Sequence, residues 1–284
     1  MYDPIELLTQ PGPRGQTITQ RYCDAFASFG VRFAIESNSA QMLAEIREFL
    51  PDLLAGRVEP AMLSEAEHFY TYLARSDLLD TLLKNGSLLS ALRHRDELIQ
   101  VLKTSIRLSV AENAPDHVFI HAGVVAIEGS AILLPGESFA GKSTLVKTLV
   151  SLGAEYYSDE FAVIDSDGMV HPFAKQLSIR SHGSPNQIDI PVEDLGGIAG
   201  NIPLEIGLVV FTEYSYGSRW EPRILTAAQG VHRLIASAVG VRRDPEKYVA
   251  VLSRAIRNST IIETKRNEAA EAADRIAKLI SVNR

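Results

Sequence analysis

Gly136-Glu137-Ser138-Phe139-Ala140-Gly141-Lys142-Ser143-Thr144 is the stretch that decides how this chain reads. It satisfies the spacing G-x-x-x-x-G-K-[ST]. The apolar run Ala131 to Leu134 precedes it, and Leu145, Val146, Leu149 and Leu152 follow at helical spacing. Strand, glycine loop and helix are therefore expected in that order, the context in which the motif works. Glycines let the backbone curl so that successive N–H groups point inward at the positive end of the helix, forming a nest for phosphate. Lys142 has the charge and reach to contact the β and γ phosphates of a nucleotide, the Ser143 hydroxyl is placed to ligate magnesium, and Thr144 supports the α-phosphate side. Chance alone would produce the four fixed positions in roughly one chain in a hundred of this length, before any flanking element is required.

Working outward, Tyr156 to Ile164 (Tyr-Tyr-Ser-Asp-Glu-Phe-Ala-Val-Ile) follows the helix and Gly153, a residue suited to ending it. A strand here would deliver Asp159 and Glu160 close to the phosphate loop. Paired acids in that position have two jobs available: one holds magnesium, and the other accepts the proton of an attacking hydroxyl. A surface turn between strands is the plainer alternative. Upstream, Val118 to His121 and Val124 to Ile127 read as tight strands, with a Gly129-Ser130 turn leading into Ala131. Gly207 to Thr212 reads as a core strand. Thr226 with Gln229 marks a capped helix, Asp244-Pro245 opens another, and Ile261-Ile262 forms a short strand before a last helix through Ile276, Leu279 and Ile280.

The first 114 residues have a different texture. Phe33 and Ile35 alternate with polar neighbours as in a half-buried strand. Asn38 with Gln41 then offers a cap for a helix that buries Met42, Leu43, Ile46, Phe49 and Leu50 and stops before Pro51. His68 to Leu73 reads as a strand, and Asn85-Gly86 as a type I′ hairpin turn. From Asp96 to Ala111 the residues Leu98, Ile99, Leu102, Ile106 and Val110 trace a long amphipathic helix, which Asn113-Ala114-Pro115 ends. The organisation expected is an α+β module over 1–114, ending in a long linking helix, and an α/β nucleotide-binding domain over 115–284.

The segment from His121 to Ile164 resembles the catalytic core of bacterial HPr kinase/phosphorylase and its HPr-kinase-related relatives. Three features carry the likeness: His121 with Gly123 opening a strand before the hairpin, the loop Gly136 to Thr144, and the acids Asp159-Glu160 ahead of an apolar strand. Leu177-Ser178-Ile179-Arg180 weakly resembles that family's later Glu-Ile-Arg-Gly element. The resemblance implies a P-loop core of the HPr kinase C-terminal, PEP-carboxykinase-like type. It also implies transfer of the γ-phosphate of ATP (or GTP), with Mg2+, to a serine or other hydroxyl of a peptide, protein or small molecule. Carried over by residue, Lys142 would stabilise the transferred charge, Ser143 with Glu160 or Asp159 would hold magnesium, and Asp159 would be the general base. His121 would face the phosphates and Arg180 would clamp them. This sequence departs from the family in Ala122 between His121 and Gly123, in Glu160 for the second Asp, and in Ser178 and Ser181 for Glu and Gly. The competing reading is a nucleotide sensor or scaffold that keeps the loop without transfer chemistry.

Bulk properties bound the alternatives. A net charge of −7 argues against nucleic acid as a partner, since phosphate backbones require a basic face. No run approaches the roughly 18 apolar residues of a membrane span, and the amino end lacks the pattern of a secretory signal. A cytoplasmic setting is expected, with self-association implied only by the family likeness. Cys23 is the sole cysteine, so neither an intramolecular disulfide nor a zinc site built on cysteines can form within the chain.

Overall fold

The computed structural model describes residues 21–75, 79–136, 141–180 and 187–282, the backbone alone being described at 178–180, 187–189 and 281–282. The chain divides into two compact units, Met1–Pro115 and Asp116–Arg284.

In the first unit the elements run β1 (Tyr22–Ser28), β2 (Val31–Ser37), α1 (Ala40–Leu53), β3 (Glu59–Pro60), β4 (His68–Leu73), β5 (Asp80–Lys84), β6 (Ser87–Leu92) and α2 (Arg95–Asn113). The six strands form one mixed sheet in the order β3-β1-β2-β4-β5-β6, in which only β2 and β4 pair in parallel. Helix α1 lies between those two strands in sequence, as a parallel pair requires of its connection. Its cap is Ser39, whose hydroxyl accepts from the Met42 N–H at 3.2 Å. The expected cap, Asn38, instead exchanges two hydrogen bonds of 2.9 Å with the Ala74 backbone. Nor does α1 stop before Pro51, which lies inside its last turn. There the lost donor leaves only one carbonyl to be satisfied, and the chain closes through the Gly56 N–H on the Pro51 carbonyl at 2.7 Å. Asn85 and Gly86 take φ +50° and +77° in the β5–β6 hairpin, the pair of left-handed residues a type I′ turn demands. Helix α2 buries Leu98, Ile99, Leu102, Ile106, Val110 and Ala111 and packs on β5, β6 and β2.

Cys23 lies on β1 opposite Glu36. Burial first, and then the charges of Glu36 and Asp24, push its thiol up to about 11. At neutral pH the reactive thiolate is then of order one part in ten thousand. Native protein at pH 7.5 should alkylate with iodoacetamide at least about tenfold more slowly than protein unfolded in urea. Equal rates in the two states would contradict this placement of the thiol.

The second unit comprises β7 (His117–Ile127), β8 (Ser130–Pro135), α3 (Lys142–Ser151), β9 (Glu155–Ser158), β10 (Phe161–Asp165), β11 (Val170–His171), β12 (Leu177–Arg180) and β13 (Gln187–Ile190). It continues through β14 (Ile206–Tyr214), β15 (Arg223–Ile224), α4 (Ala227–Ala236), β16 (Ala238–Val239), α5 (Pro245–Ala255), β17 (Thr260–Arg266) and α6 (Ala269–Val282). A nine-stranded mixed sheet runs β11-β10-β7-β8-β14-β17-β15, with β9 and β16 also paired to β7. Strands β8, β14 and β17 are parallel to one another. Alternate side chains feed two cores. Leu133, Val209, Phe211 and Ile261 pack with Val231 and Leu234 of α4 and Val251 and Leu252 of α5. Ile132, Leu134, Leu208, Val210 and Ile262 pack with Leu145, Val146 and Leu149 of α3 and Ala273 and Ile276 of α6. Each such side chain contributes about 1.5–3 kcal/mol by leaving water, and the two layers hold α3 rigidly behind the loop that precedes it.

The two strands expected at Val118–His121 and Val124–Ile127 are one strand, β7, that changes partners partway. His117 to His121 pair with β10, and Ala122 to Ile127 pair with β8. Gly123 lets α3 pack closely on β7, because a Cβ there would lie 2.5 Å from Val146 Cγ2. The turn into β8 sits at Glu128-Gly129, φ +51° and +73°, one residue earlier than the sequence pattern indicates.

Candidate active site at the amino end of helix α3

The site is built around Gly141, which caps α3 in the left-handed conformation at φ +76°. An L side chain there would cost about 1–2 kcal/mol of backbone strain. It would also put a Cβ 2.3 Å from Nη2 of Arg266, so that the end of the arginine side chain would have to move. Helix α3 has no acidic side chain in its first turn. Its leading N–H groups, which have no partner within the helix, and its positive dipole end are thus not neutralised by a carboxylate of that turn. Lys142 Nζ donates to the Gly136 carbonyl at 2.8 Å, spanning the loop from its last part to its first residue. The Gly136 N–H donates in turn to the His121 carbonyl at 3.2 Å, which fixes the start of the loop to the point where β7 changes partners. Thr144 is exposed on the first turn of α3. Glu137, Ser138, Phe139 and Ala140, also expected to bind phosphate, lie outside the described residues.

Asp159 leaves the end of β9 and is 6% exposed, which for a carboxylate demands partners. Its Oδ2 accepts from Ser143 Oγ at 3.3 Å. Its Oδ1 accepts from the Tyr156 hydroxyl at 3.0 Å and lies 3.2 Å from Lys175 Nζ. Lys175 also stands 3.6 Å from Glu160 Oε2, so one buried ammonium serves both acids. The turn that aims them is made by Ser158, whose hydroxyl accepts from the N–H groups of Glu160 and Phe161 at 3.1 and 3.0 Å. Burial, followed by the charge of Asp159, raises the Tyr156 phenol well above its ordinary range, so it remains a donor at any working pH.

His121 joins the site through its backbone. Its ring lies against Phe161, centroids 4.9 Å apart, at the edge of a cluster with Phe119 and Phe173. Arg180 closes β12, whose Leu177 is buried in the core that also holds α3, and its side chain falls outside the described atoms. Gly136, Gly141, Lys142, Ser143, Asp159 and Glu160 are thus connected, directly or through Lys175 and the backbone of β7.

Three residues of this constellation escaped sequence reading. Tyr156, which the sequence marks as strand packing, is buried in the core as expected and also donates its hydroxyl to Asp159. Lys175 sits in a stretch with no periodicity, delivered by the Phe173 N–H donating to the Tyr157 carbonyl at 3.0 Å. Arg266 ends β17, and its Nη2 donates to the Gly141 carbonyl at 3.1 Å across 125 residues of sequence. Neither spacing nor motif marks Lys175 or Arg266.

The donors suit magnesium. Ser143, Asp159 and Glu160 offer hard oxygens, and the 3.3 Å between Ser143 Oγ and Asp159 Oδ2 is near the roughly 2.9 Å separating adjacent oxygens around an octahedral ion with bonds of about 2.0–2.1 Å. Lys175 occupies the other carboxylate oxygen, Oδ1. Among the described residues no group of three or more His, Cys, Asp or Glu is placed to hold a metal, so an ion here would have to take further ligands from phosphates and water, as magnesium does. Among the described residues, too, no helix is long and apolar enough to cross a membrane.

Fold and site together define a mixed α/β protein with a glycine-led helix start beside a buried acid cluster. No family model matches the chain, and no curated protein matches it. Among solved structures, the chain is similar to the Hpr(Ser) kinase/phosphatase from Coxiella burnetii at 16% identity and a TM-score of 0.32, the match covering 58% of this chain and 94% of that one.

Proposed function

We propose that this chain is an ATP-dependent (or GTP-dependent) kinase of the HPr-kinase-like class, transferring the γ-phosphate to a serine or other hydroxyl of a peptide, protein or small molecule. The observation that carries the proposal is the 3.3 Å hydrogen bond from Ser143, in the first turn of α3, to the buried Asp159. A motif that binds phosphate is thereby joined to an acid able to take a proton. In this reading the acceptor oxygen attacks the γ-phosphorus, the bond to the β–γ bridging oxygen breaks, the nucleoside diphosphate leaves, and the acceptor proton passes to Asp159. Lys142 holds charge on the transferred group, and the α3 amide groups orient the phosphates. Ser143, Asp159 and Glu160 would hold magnesium, which when bound neutralises charge on the phosphate oxygens.

A second reading, a nucleotide sensor without transfer chemistry, draws support from one observation. Both oxygens of Asp159 are already engaged, by Ser143 and by Tyr156 with Lys175.

Calorimetric titration of ATP with and without magnesium tests the common premise. Wild-type protein should bind in a magnesium-dependent way, and Lys142→Ala should weaken that binding by tenfold or more, about 1.4 kcal/mol. Wild-type protein that binds no nucleotide would remove the foundation of both readings.

A further inference from the structure

Arg266 is 4% exposed, and among the described residues its guanidinium forms no ion pair, the charge of Glu268 acting on it only from a distance. Nη2 donates to the Gly141 carbonyl and Nη1 to the Asn267 carbonyl, each at 3.1 Å. The group lies 5.5 Å from the centre of the Tyr214 ring, and Nε is buried without a hydrogen-bond partner. Among the described residues no carboxylate comes within 4 Å of it. Carbonyl oxygens and an aromatic ring satisfy donors and soften the desolvation of a cation, but they do not cancel its charge. Burial, the largest cause, lowers the basicity of Arg266, and the opposing influence of Tyr214 and Glu268 does not offset it.

Its place in the sheet says what the charge is for. Strands β8, β14 and β17 run parallel, and the carboxyl end of such a set is where ligands are received. The phosphate loop leaves β8 at that end, and Arg266 terminates β17 at the same end. Its backbone is pinned there by the Ser215 N–H on the Arg266 carbonyl at 2.8 Å, and the side chain of the next residue by the Gly217 N–H on Asn267 Oδ1 at 3.2 Å. The guanidinium therefore reaches Gly141 from a held position, touching the residue that starts α3.

Building on the nucleotide reading, we infer that Arg266 is a second cation of the phosphate site, supplied by the same chain and contacting the terminal phosphate of a bound nucleoside triphosphate. An arginine so placed distinguishes triphosphate from diphosphate, since the extra charge is what it meets. It supplies in cis the role that a partner's arginine plays elsewhere.

The test is calorimetric titration of MgATP and of MgADP into wild-type protein, Arg266→Met and Arg266→Lys, with melting curves for all three. Arg266→Met should weaken MgATP by about tenfold or more and MgADP by less than about twofold. Arg266→Lys, which keeps the charge but not the planar fork, should fall between them and secures the comparison should the Met variant fold poorly. Equal losses for the two nucleotides, or no loss, would overturn the inference and leave Arg266 as a brace for Gly141. Wild-type protein that binds neither nucleotide would instead overturn the nucleotide reading on which the inference stands.

Discussion

Asp159→Asn is expected to lower phosphoryl transfer by at least about a hundredfold, the usual scale for loss of a general base, while affinity for ATP without magnesium changes by no more than about threefold. The substitution keeps the shape of the side chain, so the nucleotide titration without magnesium separates loss of chemistry from loss of structure. An amide oxygen turned to the Oδ1 position still accepts from Tyr156 and Lys175, and an amide nitrogen in place of Oδ2 still meets Ser143 Oγ. Lys175 keeps Glu160 at 3.6 Å, so the buried ammonium is not stranded. What disappears is the ability to take a proton, together with one oxygen offered to magnesium. The measurement is nucleoside diphosphate released in a panel of hydroxyl acceptors, including serine peptides, beside a nucleotide titration of the same variant. Transfer by Asp159→Asn at the wild-type rate would remove the residue from the mechanism. Wild-type protein that binds nucleotide but transfers to nothing would favour the sensor reading.

Lys175→Met should cost about 3–5 kcal/mol of stability, the range for removing one partner of a buried charge pair. The lower end is expected, since the Lys175 side chain is 9% exposed and Asp159 3%, whereas Glu160 at 22% retains some water. Methionine fills much of the lysine's volume, so the loss reports charge more than cavity. Adding Asp159→Asn to Lys175→Met should return more than about half of the loss, because the stranded carboxylate is what destabilises the single variant. Urea denaturation of the wild type, both single variants and the double variant checks this. Strictly additive losses would show that Lys175 and Asp159 are not coupled. Magnesium should also stabilise Lys175→Met more than wild type, since a cation then enters a site without a resident one.

Local readings of the sequence succeeded where the physics was local. Asn85-Gly86 tolerates left-handed backbone whatever surrounds it, and the turn is there. Thr226 and Gln229 form a reciprocal cap because three residues on a helix suffice to make one. The Asn38 cap was a near miss: a competing partner 36 residues away, the Ala74 backbone, captured that side chain and left the cap to Ser39. Pro51 did not end α1: it stands in the last turn, where it removes the i+4 donor of one carbonyl while the Gly56 N–H closes on the proline's own carbonyl.

By itself the sequence determined the left-handed glycine start of α3, the helix behind it, and the acids that follow one strand later, since each depends on neighbours within a few residues. Tertiary structure alone decided that β7 would change partners at His121, that Tyr156 would donate to an acid rather than merely pack, and that Lys175 and Arg266 would reach Asp159 and Gly141. Those contacts depend on strand order and register across the sheet. A cation at the far end of such a contact carries no spacing signal, because the chain between it and its partner is free to be of any length.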